Sequence, residues 1–323
     1  MSRRRGSIRS GAGPCREVCA ASRHYLFIIN PTAGGGRARR MWPRLERRLR
    51  AAGVRYAAVW TEGAGDAVEI ARANAARYDA LVAAGGDGTL REVAAGALRT
   101  QRPIGLLPLG TGNDFARALG IPRRPGPALA ALLQAEPQPI DVGWVNDTPF
   151  LNVAGAGFDA AVAHAVRSAA RPVRGTLPYL WTVLRLLGSY TNPVIEVRAP
   201  RFTHRGPSFL VAVGNAPYYG GGMHICPRAS LVDGLLDVCI AHDLSHRAVL
   251  GALGALYRGR HLSRADVSYF QTPEVIIEGP SAAWVHADGD LVGGLPAALR
   301  IEPAALHCLV PTARGAGRAS VTP

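Results

Sequence analysis

Ala83-Ala84-Gly85-Gly86-Asp87-Gly88-Thr89-Leu90 is the stretch whose reading organises the rest of this chain. It follows Tyr78-Asp79-Ala80-Leu81-Val82-Ala83, a short apolar run of the kind that forms a buried parallel strand. It precedes Leu90, Val93, Ala94, Ala97 and Leu98, which recur at helical spacing. Strand, glycine turn and helix together make a phosphate cradle. The helix N-terminus offers unbonded N–H groups, and glycine removes the side chains that would hold an anion at a distance. Asp87 does not suit a bare phosphate, because a carboxylate repels one. It is expected to act through a divalent cation or its waters.

Two further strand-to-helix turns flank this one. The apolar run Tyr25 to Ile29 ends in Asn30-Pro31-Thr32-Ala33-Gly34-Gly35-Gly36-Arg37. Arg37 opposes the dipole of the helix it opens, so it either answers a bound phosphate or lies solvated on a flexible turn. That helix extends to about Ala52. The strand Arg55 to Trp60 then places Thr61 at its carboxyl end, ahead of a helix running to Ala76. Strand Asp79 to Ala83 leads into the opening turn. After its helix, strand Pro103 to Leu107 is followed by Pro108-Leu109-Gly110-Thr111-Gly112-Asn113-Asp114-Phe115-Ala116-Arg117. In a doubly wound α/β sheet, turns at the carboxyl ends of strands converge on one edge, where such sheets bind ligands. Asn113 or Asp114 can cap the helix through Leu119, which accounts for one of them but not for the whole polar run.

Composition narrows the chemistry. At 323 residues the chain is long enough for two domains. Its 37 basic residues are all arginine and its formal net charge is +14. The absence of lysine excludes a P-loop NTPase, a protein kinase and a Schiff-base enzyme, each of which needs an amine at a fixed place. A basic surface suits nucleic acid or anionic lipid, and biased codon usage would also produce it. No zinc spacing, helix-turn-helix signal or aromatic-interleaved basic stripe points to nucleic acid. The five cysteines form no Cys-x-x-Cys pair, which favours a reducing, cytoplasmic location. Residues 1–23 read as a disordered basic tail rather than a secretory signal, and residues 312–323 as a second tail. The best apolar stretch, Leu177 to Leu187, is too short to span a bilayer and contains Arg185, so membrane contact is expected to be peripheral. Leu177, Tyr179, Leu180, Trp181, Leu184 and Leu187, with Arg171, Arg174 and Arg185, can rest at an anionic interface or form an ordinary packed helix.

The strand-helix rhythm fades after Pro122. From there Ile140 to Val145, Pro149 to Ala154, Pro193 to Arg198, Phe209 to Val213, Leu235 to Ala241 and Val275 to Glu278 read as strands. Helices are expected near Asp159 to Ser168, Thr176 to Tyr190 and Ser245 to Tyr257. Two carboxylate turns stand out in this mainly β half: Ser230-Leu231-Val232-Asp233-Gly234-Leu235-Leu236-Asp237, and Asp288-Gly289-Asp290. In isolation each is also an ordinary hairpin signal.

Assembled, these residues resemble the diacylglycerol kinase catalytic family, in particular the bacterial lipid kinases related to sphingosine and ceramide kinases. Asn30-Pro31 with Ala33-Gly34, Gly85 to Thr89 with Glu92-Val93, and Pro108 to Ala116 match its three N-terminal motifs in order. Asp233 to Asp237 and Asp288 to Asp290 match its two C-terminal ones. The resemblance implies an N-terminal doubly wound α/β nucleotide domain over residues 24–139 and a C-terminal β-sandwich domain over 140–311, with ATP in the cleft between them. It further implies that Asn30, Thr61, the segment Gly85, Gly86, Asp87, Gly88, Thr89 and Leu90, and Thr111 serve the ATP site. A structural Mg²⁺ is implied at Ser230 and Leu235 through their carbonyls and at Asp233 through its carboxylate, a ligand set reasonable for a hard cation. Asp87 is then assigned to a second Mg²⁺ that accompanies the nucleotide.

The catalytic base matches Asp290, where the family usually carries glutamate. Its shorter reach keeps Asp288 in contention. Arg91 stands where asparagine is frequent, and Arg91 or Arg37 could neutralise the triphosphate in a lysine-free enzyme. The expected reaction is transfer of the ATP γ-phosphoryl group to a lipid hydroxyl, diacylglycerol foremost, and the sequence leaves a homodimer open. The competing readings are a soluble-substrate kinase of the NAD kinase type and a catalytically silent lipid- or nucleotide-binding regulator.

Overall fold

The apolar run His24–Ile29 (β1) is buried almost throughout, because it has a parallel neighbour on each side. These are Arg55–Trp60 (β2) and Ala80–Gly85 (β3). Ile104–Pro108 (β4) joins β3 in parallel and completes the order β2-β1-β3-β4. The structure, a computed structural model, describes residues 23–168 and 176–311, without the side chains of 176–180. The two expected tails, Arg23 apart, lie outside the described residues, as do Arg171, Arg174 and the side chains of Leu177, Tyr179 and Leu180.

Helices Ala33–Ala51 (α1), Asp66–Asn74 (α2), Asp87–Ala97 (α3), Asp114–Ala118 (α4) and Pro125–Leu133 (α5) connect these strands or follow them. Right-handed crossovers put α1 on one face of the sheet and the packed pair α2 and α3 on the other. Chain order reverses between β1 and β3. Their carboxyl ends, Asn30 and the turn from Gly86, therefore border the crevice at which such sheets take ligands.

The second half contributes Glu136–Val145 (β5), Thr148–Phe150 (β6), Val153–Gly157 (β7), Phe158–Arg167 (α6), Thr176–Ser189 (α7), Val194–Ala199 (β8), Phe202–Pro207 (β9) and Leu210–Gly214 (β10). It continues with Leu236–Ala241 (β11), His246–Tyr257 (α8), Val267–Thr272 (β12), Glu274–Glu278 (β13), Trp284–Ala287 (β14), Asp290–Gly294 (β15) and Ala297–Val310 (β16). Strands β12-β11-β10-β7-β14-β15 form an antiparallel sheet. It faces the part of the first sheet made by β16-β13-β8-β9 with β5 and β6. Val197, Val275, Ile277 and Leu299 from one side meet Val211, Val213, Val238 and Val285 from the other, the buried filling of a β-sandwich. The opposite face of the antiparallel sheet carries α6, α7 and α8 on Phe158, Leu187, Leu210 and Leu244.

Two readings change. The expected strand Pro149 to Ala154 is two strands, β6 and β7, separated at Leu151-Asn152, whose N–H groups turn to the Asp288 carboxylate. Strands β9, β12, β14, β15 and β16 were not expected. Among them β9 is an edge with alternating exposure, and β15 ends in glycine. Strand β16 carries Pro303 and a register shift between Glu302 and Leu306, so its apolar alternation is broken.

Candidate active site

The three glycine-bearing turns of the first sheet are tied into one surface. Asn30 Nδ2 donates to Thr89 Oγ1 (3.2 Å), which fixes the first turn to the second. Phe115 N–H donates to the Asp87 carboxylate (3.0 Å), and Leu109 N–H to the Gly85 carbonyl (2.8 Å), which fixes the second to the third. Contact between turns is close enough to demand glycine at two places. A Cβ on Gly110 would lie 2.4 Å from Gly86 Cα, and one on Gly34, whose φ is +59°, would lie 2.4 Å from the Leu109 carbonyl oxygen. Helix α3 begins at Gly86 with no side chain capping it, so its first N–H groups are available to a phosphate. Thr61 is buried beside the Ile29 carbonyl, whereas Thr111 is exposed on the rim.

The third turn is not held by helix capping. Asn113, at φ +51°, folds its carboxamide back on Gly110, accepting from its N–H (3.1 Å) and donating to its carbonyl (2.9 Å). Asp114 pairs with Arg117 and accepts the Gly221 N–H (2.7 Å). Burial pushes the Asp114 pKa up, against the pull of those two donors. This bond brings the loop of Tyr219, Gly220 and Gly221 against the turns of the first sheet.

Asp288 and Asp290 arrive from the other half at the β14–β15 turn. Leu151, Asn152 and Val153 donate their N–H groups to the Asp288 carboxylate (2.8, 2.8 and 3.1 Å), so that side chain pins the β6–β7 junction. Burial raises the Asp288 pKa, although these donors and Arg91 oppose the rise. Asp290 is half exposed and forms an ion pair with Arg91 of α3. The Arg91 Nε is buried without a partner, as is Asn152 Oδ1.

Beside this turn His286, 2% exposed, shares a 2.9 Å hydrogen bond with Asp159 at the start of α6. Burial disfavours the imidazolium, yet the carboxylates of Asp159, Asp288 and Asp290 together outweigh it and move the His286 pKa up. Sequence reasoning passed over Asn152, Asp159, His286 and the loop Gly220-Gly221-Gly222. The last offered a signal, a further glycine run. The others offered none without knowledge of the strand pairing.

Several of these groups, from both halves, line one cavity of about 930 Å³. Asp87, Gly112, Asp114, Asn152, Asp159 and Asp290 are at its polar end, and Phe158, Val162, Leu184, Leu210, Leu253 and Leu256 line the remainder. The size lies at the upper end for small-molecule sites, and the mainly apolar wall with a few polar groups suits an amphiphile.

The expected metal residues lie elsewhere. Asp141 of β5 is buried and accepts the Gly234 N–H (2.7 Å) and the Ala304 N–H (2.8 Å), which fastens the turn Ser230 to Leu235 to the core. Asp233 points one oxygen at the Leu235 N–H (3.1 Å), and its pKa is raised by burial and by Asp141. Excess negative charge among hard oxygen donors fits a Mg²⁺ held by one carboxylate and backbone carbonyls. Among the described residues no cluster of three or more His, Cys, Asp or Glu side chains could hold a metal by itself.

Comparison with known proteins places this geometry. Residues 24–145 match the diacylglycerol kinase catalytic domain, and residues 152–310 the YegS C-terminal NAD kinase beta sandwich-like domain. The chain is similar to a probable lipid kinase YegS-like protein of Pseudomonas putida, 40% identical over 77% of this chain and 83% of that one. It is also similar to a diacylglycerol kinase of Bacillus subtilis, 31% identical over 84% of this chain and 90% of that one. The crystal structure of a putative diacylglycerol kinase from Bacillus anthracis superposes with a TM-score of 0.73 at 25% identity, covering 90% of this chain and 98% of that one. The chain therefore belongs to the diacylglycerol kinase catalytic family of lipid kinases.

Proposed function

We propose that the protein transfers the γ-phosphoryl group of ATP to a hydroxyl of a membrane lipid, diacylglycerol being the first candidate. The observation that carries this reading is that Asp87, Gly112 and Asp114 of the glycine turns share the polar end of a largely apolar cavity with Asp290. The turns would cradle the triphosphate on backbone N–H groups, and the cavity would take the acyl portion of the acceptor. The bond between γ-phosphorus and the bridging oxygen breaks, a bond to the acceptor oxygen forms, and the hydroxyl proton passes to Asp290. Asp288 is less suited to that task, because three backbone donors already occupy its carboxylate.

Asp233 with the carbonyls of Ser230 and Leu235 would hold a Mg²⁺, which would stiffen the turn, and Asp87 would face the Mg²⁺ that accompanies ATP and offsets its phosphate charge. Among the described residues no helix is long and apolar enough to cross a membrane. The lipid would be met at the bilayer surface by α7 and α8, which flank the cavity.

The test is incubation of the purified protein with labelled ATP, Mg²⁺ and mixed micelles of diacylglycerol, phosphatidylglycerol or ceramide, with NAD as a soluble acceptor. Labelled phosphatidic acid is expected, and Asp290→Asn should lower its formation by 10²-fold or more, on the order of losing a general base. Phosphorylation of NAD but no lipid would favour the soluble-substrate kinase. Labelling of no acceptor would favour a silent binding protein.

A further inference from the structure

We propose that Arg91 is a positioning residue whose guanidinium holds Asp290 until a nucleotide phosphate draws it away, so that nucleotide binding frees the acceptor-side carboxylate. The inference rests on the kinase reading for its purpose, but its geometry is independent of the acceptor. Arg91 is on the second turn of α3, directly after the Gly85 to Leu90 cradle. Asp290 opens β15, 199 positions away in the chain. Their ion pair therefore joins the two halves of the molecule, and its Asp290 end lines the polar part of the cavity.

The pair leaves the cation incompletely satisfied. Arg91 is 18% exposed against 49% for Asp290. Its Nε is buried with no hydrogen-bond partner among the described residues. An unmet buried donor is costly, so this guanidinium favours an additional acceptor. Asp288, the other carboxylate that Arg91 influences, is taken up by the N–H groups of Leu151, Asn152 and Val153 and leaves the Nε unmet. A triphosphate in the adjacent cradle would bring several anionic oxygens, and the planar guanidinium fork is suited to phosphate. Once Arg91 turns to the phosphate, Asp290 loses its partner and can take the hydroxyl proton. Before that, the carboxylate is occupied, and nucleotide binding precedes productive acceptor binding.

The experiment is a binding cycle without any lipid. Isothermal titration with Mg²⁺ and a non-hydrolysable ATP analogue is carried out on the wild type, Arg91→Ala, Asp290→Asn and the double variant. Arg91→Gln serves as a second replacement that keeps the side-chain length if Arg91→Ala folds poorly. With Arg91 present, Asp290→Asn removes the competing partner and should tighten binding about fivefold or more, the lower edge of ordinary coupling between sites. In the Arg91→Ala background the same change should alter affinity less than about twofold, which covers the general loss of one negative charge. Arg91→Ala alone should weaken binding. Equal effects of Asp290→Asn in both backgrounds, or an Arg91→Ala affinity equal to wild type, would overturn the proposal. Because no acceptor is used, failure to phosphorylate lipid bears only on the assigned function, and an additive cycle in an active lipid kinase bears only on Arg91.

Discussion

Asp288 and Asp290 are two residues apart yet meet opposite surroundings. One carboxylate is saturated by backbone N–H groups, and the other faces a single arginine at the edge of a cavity. Environment separates acids of identical chemistry into a structural and a reactive candidate. A third acid shows the same logic in stability. Asp237 is fully buried, and burial pushes its pKa up to about 6 despite hydrogen bonds from Tyr269 (2.6 Å) and Gln271 (3.2 Å). The folded state thus retains a proton that the unfolded chain has already lost, so stability falls as pH rises from about 4 to 6 and stays reduced above that. A move from 3.8 to about 6 corresponds to about 3 kcal/mol at neutral pH. Asp237→Asn keeps the Tyr269 bond and should lack this penalty. Urea denaturation in EDTA should show the variant gaining about 3 kcal/mol on the wild type between pH 4 and pH 7. A difference that does not change with pH would show that Asp237 ionises normally. These pairings were closed to the sequence: Asp233 and Asp290 announced themselves by local turns, but Arg91 with Asp290 and His286 with Asp159 come together only through the tertiary fold.

At the level of elements, the parallel half was legible because its signals are local. Strands β1 to β4 are continuous apolar runs closed by glycine turns, and their ends fell within two residues of expectation. Edge strands gave weaker signals: β9 alternates between half-buried and exposed residues and includes Gly206 and Pro207. Helices α7 and α8 show a different conflict. Their apolar residues are not consumed by packing: Trp181 is 68% exposed, Leu250 50%, Leu253 40% and Tyr257 53%. No residue of α8 is buried. Arg185, Arg247, Arg258 and Arg260 are exposed on or beside the same helices. This combination suits a bilayer with anionic headgroups. Replacing Trp181 and Leu253 by serine should reduce sedimentation with phosphatidylglycerol-containing vesicles about tenfold or more, since each large side chain contributes roughly 1.5–3 kcal/mol when fully buried. Raised salt should weaken binding of both proteins. If the double variant sediments like the wild type, these helices do not dock the protein.

Across the whole molecule, β16 is the element that prevents a simple division into halves. Its 14 residues pair with β13 and β5 and reach β4 in parallel at Cys308 and Ile104. Leu306, Cys308 and Leu309 complete the core beneath the nucleotide turns, alongside Leu81 and Ile104. Thermal unfolding should therefore be a single transition, with calorimetric and van't Hoff enthalpies in agreement. A chain stopped at Leu295 should fail to give a folded N-terminal α/β half. Two resolved transitions, or a soluble and cooperative truncated form, would contradict this.

Such an arrangement also imposes an order on biosynthesis. The first sheet to leave the ribosome contains β4, whose free edge waits for a strand translated almost two hundred codons later. Until then the nascent N-terminal α/β half carries an unpaired strand that is buried in the folded protein, of the kind prone to intermolecular pairing. The first sheet is thus completed only once β16 has been made, and a prematurely terminated message should yield an aggregation-prone fragment.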